Sequence, residues 1–355
     1  MKDKYYYLWA QWGILTCDRH SAIIRHFGDL ETAWNKITPQ FMSGLRMSPD
    51  KIREAFDIRN RISFEQTMDI MKACNAKLFY IEDDDYPETL KNLSKPPPFL
   101  YVRGKLPSFQ RSLAVVGTRA HSDYGRHMTE GFVSDLVRQD FVVVSGLAFG
   151  IDSIAHRTTL REGGITVAVL ASGVDIISPA SNHGLAMEIL ESDGAIVSTF
   201  PLGTTAQPHY FPRRNLIIAG LTKGTLVIEG GVKSGALITA RDALDENREV
   251  FAVPSRVSSS INSGTNKIIR ESKAKLVENI SHIMESFGMK IDDVKQIRDL
   301  DEDERLILEK LSLEGKTMDE LFDETEFNIP QLAQILIRLQ LKGIVRQEYT
   351  CWYVT

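Results

Sequence analysis

FPRRNLIIAGLTKGTLVIEGGVKSGALITA, residues 211–240, sets a doubled arginine and a glycine-flanked Lys233-Ser234-Gly235 turn around one apolar strand, Leu226 to Glu229. An α/β protein builds a seat for phosphate in this way. Gly230, Gly231 and Gly235 let backbone N–H groups turn toward an anion, a helix opening near Ala236 points its positive end there, and Lys233 adds a full charge. Two turns of the same build lie upstream, AVVGTRAHSDYG (114–125) and VVSGLAFGID (143–152). Three anion seats on successive strand ends suit a polyanion better than a single nucleotide.

Working outward from that segment, apolar runs of strand length recur at Leu113–Gly117, Phe141–Ser145, Thr166–Leu170, Ala195–Thr199, Thr225–Glu229 and Val250–Pro254, with a shorter one at Lys275–Val277. Helical segments alternate with them near 124–139, 151–162, 182–192, 213–221, 236–246, 261–272 and 279–287. Continuous apolar strands have both faces covered, so the expected fold is α/β with a doubly wound parallel sheet of extended Rossmann-like type over 81–285. Ligands of such sheets sit at the carboxyl ends of the strands, where all three glycine turns fall. Residues 1–80 read as a small domain of short helices, with Ser48-Pro49 as an N-cap and first-turn proline. The prolines of Lys95–Pro98 forbid helix and leave Phe99–Val102 as a strand. Residues 286–302 read as a linker. In 303–355, a helix from Asp303, a capping box at Thr317–Glu320, a third helix capped by Asn328 and ending at Gly343, and two short strands spell a winged helix.

The chain has 355 residues and a formal charge of −5, unevenly spread: net −1 over 1–86, +2 over 87–285 and −6 over 286–355. A phosphate-binding surface therefore belongs to the middle segment. Cys17, Cys74 and Cys351 form neither a disulfide framework nor a zinc pattern, which fits a reducing, cytoplasmic setting. No apolar run reaches membrane-spanning length, and the aromatic start, with Gln11 and Asp18-Arg19-His20, does not read as a signal peptide. The G-x-G-x-x-G spacing is missing from both upstream turns. Val227 and Val232 stand where a P-loop needs glycine. No nucleotide cofactor is expected.

The candidate binding residues are Gly117, Thr118 and Arg119 in the first turn, Ser145 and Gly146 in the second, and Arg213, Arg214, Asn215, Lys233, Ser234 and Gly235 in the opening segment. Arg119, Lys233 and the Arg213-Arg214 pair would hold phosphates, and the N–H groups of Thr118, Gly146, Ser234 and Gly235 would add neutral donors. Among Phe149, Phe200, Tyr210 and Phe211, most of which are expected in the core, any ring exposed beside the arginines offers bases a stacking surface. A rival reading makes the chain a nucleotide- or nucleoside-monophosphate-processing enzyme, with Asp152, His156 and Glu229 as acid and base candidates. Asp152 and His156, four apart on one helix face, fit a helix-start capping pair better than a relay.

The stretches YPETLKNLSKPPPFLYVRG, AVVGTR with SDYG, VVSGLAFGIDSIAH, TVAVLASGVD, FPRRNLIIAGL, KSGALITA and REVFAVP, in this order, resemble the DprA (Smf) family of DNA-processing proteins over roughly Tyr86–Val277. The resemblance implies an N-terminal SAM-like helical domain, an extended Rossmann-like core and a C-terminal winged helix. It implies a non-enzymatic binder of single-stranded DNA, without sequence preference or cofactor, that acts as a homodimer through the Rossmann-like domain. It further implies a role in natural transformation, loading strands onto the RecA recombinase. Contacts are implied for Arg119, Gly146, Lys233, Ser234 and Gly235, with Arg213 and Asn215 of the F-P-x-R-N match lining the same pocket. The chain departs from the family pattern at Leu216, where arginine is usual, and at Ser255, where glycine is usual. The acidic winged helix, whose third helix offers only Arg338 to phosphate, reads as a protein-docking or structural module.

Overall fold

The structure, a computed structural model, describes residues 3–256, 263–290, 301–311, 315–341, 344–348 and 350–354. They divide into two compact units, Met1–Gly288 and Met289–Thr355.

The first unit opens with α1 (Lys4–Trp12), α2 (Cys17–Phe27), α3 (Leu30–Lys36), α4 (Pro39–Gly44), α5 (Pro49–Arg59) and α6 (Phe64–Ala73). Polar side chains cap nearly every start: Thr16, Asp29, Thr38, Ser48 and Ser63 each accept an N–H from the first turn. Trp9 and Trp12 are buried, and their indole N–H groups donate to the carbonyls of Leu30 and Ala55. A nine-stranded sheet follows, with the short helix α7 (Glu88–Lys91) between its first two strands in the chain. Its strands are β1 (Ala76–Tyr80), β2 (Phe99–Gly104), β3 (Ser112–Val116), β4 (Val142–Ser145), β5 (Thr166–Val169), β6 (Ala195–Ser198), β7 (Gly224–Val227), β8 (Glu249–Ala252) and β9 (Lys275–Leu276). The order is β1-β2-β6-β5-β4-β3-β7-β8-β9. β3 to β9 pair in parallel, whereas β1–β2 and β2–β6 are antiparallel, so the sheet is mostly parallel with an antiparallel edge.

β1 lies in a stretch the sequence pattern assigned to helices. Its five residues alternate, with Leu78 and Tyr80 buried among the aromatic residues of the N-terminal helices, beside Phe99 and Tyr101 of β2. The helices and the sheet edge therefore share one core. Elsewhere the winding is double. Val167 and Val169 pack with Ile217, Ile218 and Ala240 of α11 (Tyr210–Leu221) and α12 (Gly235–Asp245). Ala168 and Leu170 face the other way, onto Leu185, Ala186 and Ile189 of α10 (His183–Glu191). α8 (Asp123–Arg138) packs on α9 (Ile151–Arg161). The chain runs outward from β3 through β4, β5 and β6, then returns to β7 on the other side of β3. This reversal opens a crevice at the carboxyl ends of β3, β4 and β7.

In the second unit, helices Glu302–Lys310, Met318–Glu324 and Ile329–Leu341 enclose a core of Ile307, Leu321, Leu332, Ile335, Leu336 and Leu339. The Thr317–Glu320 capping box is formed, and Asp301 with Glu304 makes another. Asn328 and Gln331 exchange the equivalent pair of hydrogen bonds. Strands β10 (Lys316–Thr317), β11 (Val345–Glu348) and β12 (Cys351–Val354) complete the winged helix as a sheet ordered β10-β12-β11. Gly343, read as the end of the third helix, and most of the linker lie outside the described residues. No described helix is long and apolar enough to cross a membrane.

Candidate nucleic-acid interface

A cleft of about 460 Å³ occupies the crevice, lined by Gly117–Arg119 after β3, Ala148 after β4, Phe211, Arg214 and Asn215 of α11, and Gly231–Ala236 around the start of α12. Arg119 and Lys233 are exposed on opposite loops of this cleft, and neither enters an ion pair among the described residues. Two uncompensated cations facing one concavity make an anion site. Arg119 lies over the Phe211 ring at 4.9 Å, and the guanidinium of Arg214 lies 5.6 Å from the same ring. Phe149 follows Ala148 and is 51 % exposed. Ser234 caps α12, accepting the Ala236 N–H, which leaves the first helical residue, Gly235, with its N–H undirected within the helix.

The candidate backbone donors mostly turn inward. The Thr118 N–H donates to the Glu229 carbonyl at 2.7 Å, the Gly146 N–H to Asp152 Oδ2 at 3.1 Å and the Ser234 N–H to the Gly231 carbonyl at 2.9 Å. Of the four N–H groups expected to greet phosphate, only that of Gly235 has no partner among the described residues. Ser145 is fully buried and donates to the Val115 carbonyl at 2.7 Å, tying β4 to β3. Each turn needs its internal bonds to hold its shape.

The two arginines part company. Arg213 is exposed, points away from the cleft toward Phe200, whose ring centre is 5.1 Å from its guanidinium, and borders the N-terminal helices instead. Arg214 is buried. Its Nη1 donates to the carbonyls of Gly146 at 2.5 Å and Val169 at 2.7 Å, bracing the ends of β4 and β5, and its Nε donates to Asn215 Oδ1 at 3.1 Å. Burial lowers its pKa to about 10, with Asp152 opposing that shift, so it remains a cation at neutral pH. A Cβ on Gly146 would stand 2.5 Å from the guanidinium carbon, which explains the glycine. Asn215, also buried, donates to the Gly235 carbonyl at 3.3 Å and fixes α11 to α12. The Arg213-Arg214 pair expected to hold phosphate is thus one exposed residue outside the cleft and one brace beneath it. Adjacent positions on a helix face about 100° apart.

The acid–base candidates are also engaged separately. Asp152 is buried and accepts from Gly146 and Ala148, so it shapes the glycine turn rather than orienting His156. Burial raises its pKa, opposed first by Arg214. His156 bonds Thr166 Oγ1 through Nδ1 at 2.7 Å, and burial followed by the Arg214 charge lowers its pKa to about 3, leaving it neutral. Glu229 accepts from the Ser122 N–H at 2.8 Å and the Ser122 hydroxyl at 2.6 Å, anchoring the start of α8. Phe200 is core and the Tyr210 ring lies tilted against it, with centroids 4.5 Å apart.

Gly125 permits the Glu229 anchor, because a Cβ there would lie 2.2 Å from Oε2. Gly125→Ala is expected to destabilise the unit by about 1–3 kcal/mol through loss of the partly buried Ser122–Glu229 hydrogen bonds. Gly131→Ala, at a helical position with no atom near the added carbon, is the control and should be neutral or mildly stabilising. Denaturant midpoints of the two variants check this contrast, and equal midpoints would remove the anchor's assigned role.

Comparison with known proteins adds independent findings. Residues 77–288 match the family described as DNA recombination-mediator protein A, and residues 293–348 match the DprA winged helix domain. Protein Smf of Escherichia coli is 40 % identical over 234 residues, covering 64 % of this chain and 62 % of that protein. DNA processing protein DprA of Streptococcus pneumoniae is 37 % identical over 210 residues, 59 % of this chain and 73 % of its own. The first curated relatives are thus matched over about three fifths of their length. The crystal structure of DprA from S. pneumoniae superposes with a TM-score of 0.67 at 29 % identity, covering 80 % of this chain and 98 % of that one. DNA processing protein A from Helicobacter pylori, solved for its single-stranded DNA binding mode, gives 0.54 at 25 % identity over 60 % of this chain and 95 % of its own.

Proposed function

Because the chain belongs to the DNA recombination-mediator protein A family, we propose that it binds single-stranded DNA without sequence preference and acts in the recombination of imported strands, delivering them to the RecA recombinase as a homodimer. The observation that carries the reading is the cleft where Arg119 and Lys233 stand unpaired among the described residues. The single-stranded DNA mode described for the H. pylori relative supports it. Arg119 and Lys233 hold neighbouring phosphates, the Gly235 N–H at the α12 start adds a neutral donor, and Phe211 and Phe149 receive bases that a duplex would keep stacked inside. The protein acts as a binder and not as an enzyme: Asp152, His156 and Glu229 each have a separate structural partner.

A salt titration of binding to single-stranded and duplex oligomers tests the reading. About two phosphate contacts in the cleft give a slope of about −1.4 in log K against log salt for the single strand. Single strands should bind more tightly than duplex at every salt concentration. Equal affinity for both would overturn the stacking component and the strand preference together.

A further inference from the structure

Behind the cleft, on the other side of the first turn of α11, the structure holds a second groove between the N-terminal helices and the carboxyl end of the sheet. Its two lobes, of about 220 and 360 Å³, share Gly13, Thr199 and Arg213. Arg213 projects into both. Arg19, in the first turn of α2, donates through Nη1 to the Ile14 carbonyl at 3.0 Å and lies close enough to Arg213 for the two charges to oppose each other. Neither guanidinium has a carboxylate in ion-pair range among the described residues. Lys95, on the proline-rich loop at the rim, is exposed and, among the described residues, pairs with Asp18 at 3.3 Å. The groove is also lined by two acids, Asp18, which pairs with Lys95, and Glu54 in the second lobe, neither of them in ion-pair range of Arg213 or Arg19 among the described residues. Two cations brought together by separate elements and left unpaired repel when the groove is empty and are stabilised by an anion between them.

We propose that this groove is a second station for the same single strand: the backbone leaving the cleft crosses the first turn of α11 and sets its next phosphates between Arg213 and Arg19, with Lys95 at the rim. The inference rests on the cleft reading and extends it. A helix is about 10 Å across, so the strand needs only a few nucleotides to pass from one station to the other. The crossing is paved with rings. Phe211 faces the cleft beside Arg119, and Tyr210, tilted against Phe200, faces the groove beside Arg213. The N-terminal helices thereby become part of the binding surface, through Arg19 on α2.

Length-dependent binding tests this. Fluorescence anisotropy is measured with oligo(dT) of about 5 nucleotides, enough for the cleft alone, and of about 16 nucleotides. Arg213→Glu and Lys95→Glu, both at exposed positions, are compared with the unmodified full chain, with melting curves as the folding control. Each variant should bind the short oligomer within twofold of the unmodified chain. For the long oligomer, affinity should fall about tenfold for Arg213→Glu and less for Lys95→Glu, with a salt slope shallower by about 0.7 for each phosphate lost. Unchanged long-oligomer affinity in Arg213→Glu, or an equal loss with both lengths, overturns the second station. Failure of the cleft reading has its own signature, retention of the short oligomer by Lys233→Glu, and that result removes both.

Discussion

Lys233→Glu is expected to lower the affinity for oligo(dT) about a hundredfold at moderate salt while leaving the melting temperature unchanged. A hydrogen bond to a charged group contributes about 1.5–3 kcal/mol, and reversing the charge adds repulsion against the same phosphate. A total near 3 kcal/mol corresponds to roughly two decades of affinity. Stability is spared because Lys233 is exposed, lies in no ion pair among the described residues and precedes the Ser234 cap without taking part in it. Arg119→Glu should lose a comparable amount, with a small added effect from uncovering the Phe211 ring. Anisotropy titrations paired with thermal melts check both. Full binding by Lys233→Glu would remove the site assignment.

The second large effect concerns stability. Arg214→Ala strips the Gly146 and Val169 carbonyls of a shared donor and leaves the buried Asp152 carboxyl without the cation that opposes its burial. Breaking such a buried arrangement from one side costs about 3–5 kcal/mol. Arg213→Ala, one position away and exposed, should stay within about 0.5 kcal/mol of the unmodified chain. The pair of measurements is sharper than either alone. Equal denaturation midpoints would mean that the brace beneath the cleft contributes nothing. Arg214→Lys should recover little, since an ammonium is a point charge and cannot reproduce the planar fork that reaches two carbonyls and Asn215 at once.

Much of this was legible before any coordinates. The runs at Leu113–Gly117, Phe141–Ser145 and Thr225–Glu229 are apolar on both faces, and such runs have few alternatives to buried parallel strands. The capping boxes and the Ser48-Pro49 start were local signals with local outcomes. β1 was not legible, because five residues that alternate toward a core supplied by other helices look like the tail of a helical region. The cleft's position followed from strand ends and glycines, and Arg119, Lys233 and Gly235 stand open there. The inward turn of the Thr118 N–H had no sequence signal, since it depends on Glu229 of a distant strand end being close in space, whereas the Gly146 and Ser234 N–H groups are taken up locally, by Asp152 and the Gly231 carbonyl. The division of labour between Arg213 and Arg214 was equally hidden. Identical residues on adjacent helical positions are separated only by what the rest of the fold presents to each.

Glu229 sits where the loops carrying the two cleft cations meet. Its carbonyl holds the Thr118 N–H, its carboxylate holds Ser122, and the loop bearing Lys233 begins one residue after it. A single residue thus sets the gauge between Arg119 and Lys233, as a spacer sets the gap between two electrodes. A strand entering such a cleft loses its own freedom but need not purchase order from the protein, because the separation of the two charges is fixed before it arrives. Loosening Ser122 or Glu229 should therefore weaken both grips at once, through widened motion of two loops that never touch the same phosphate.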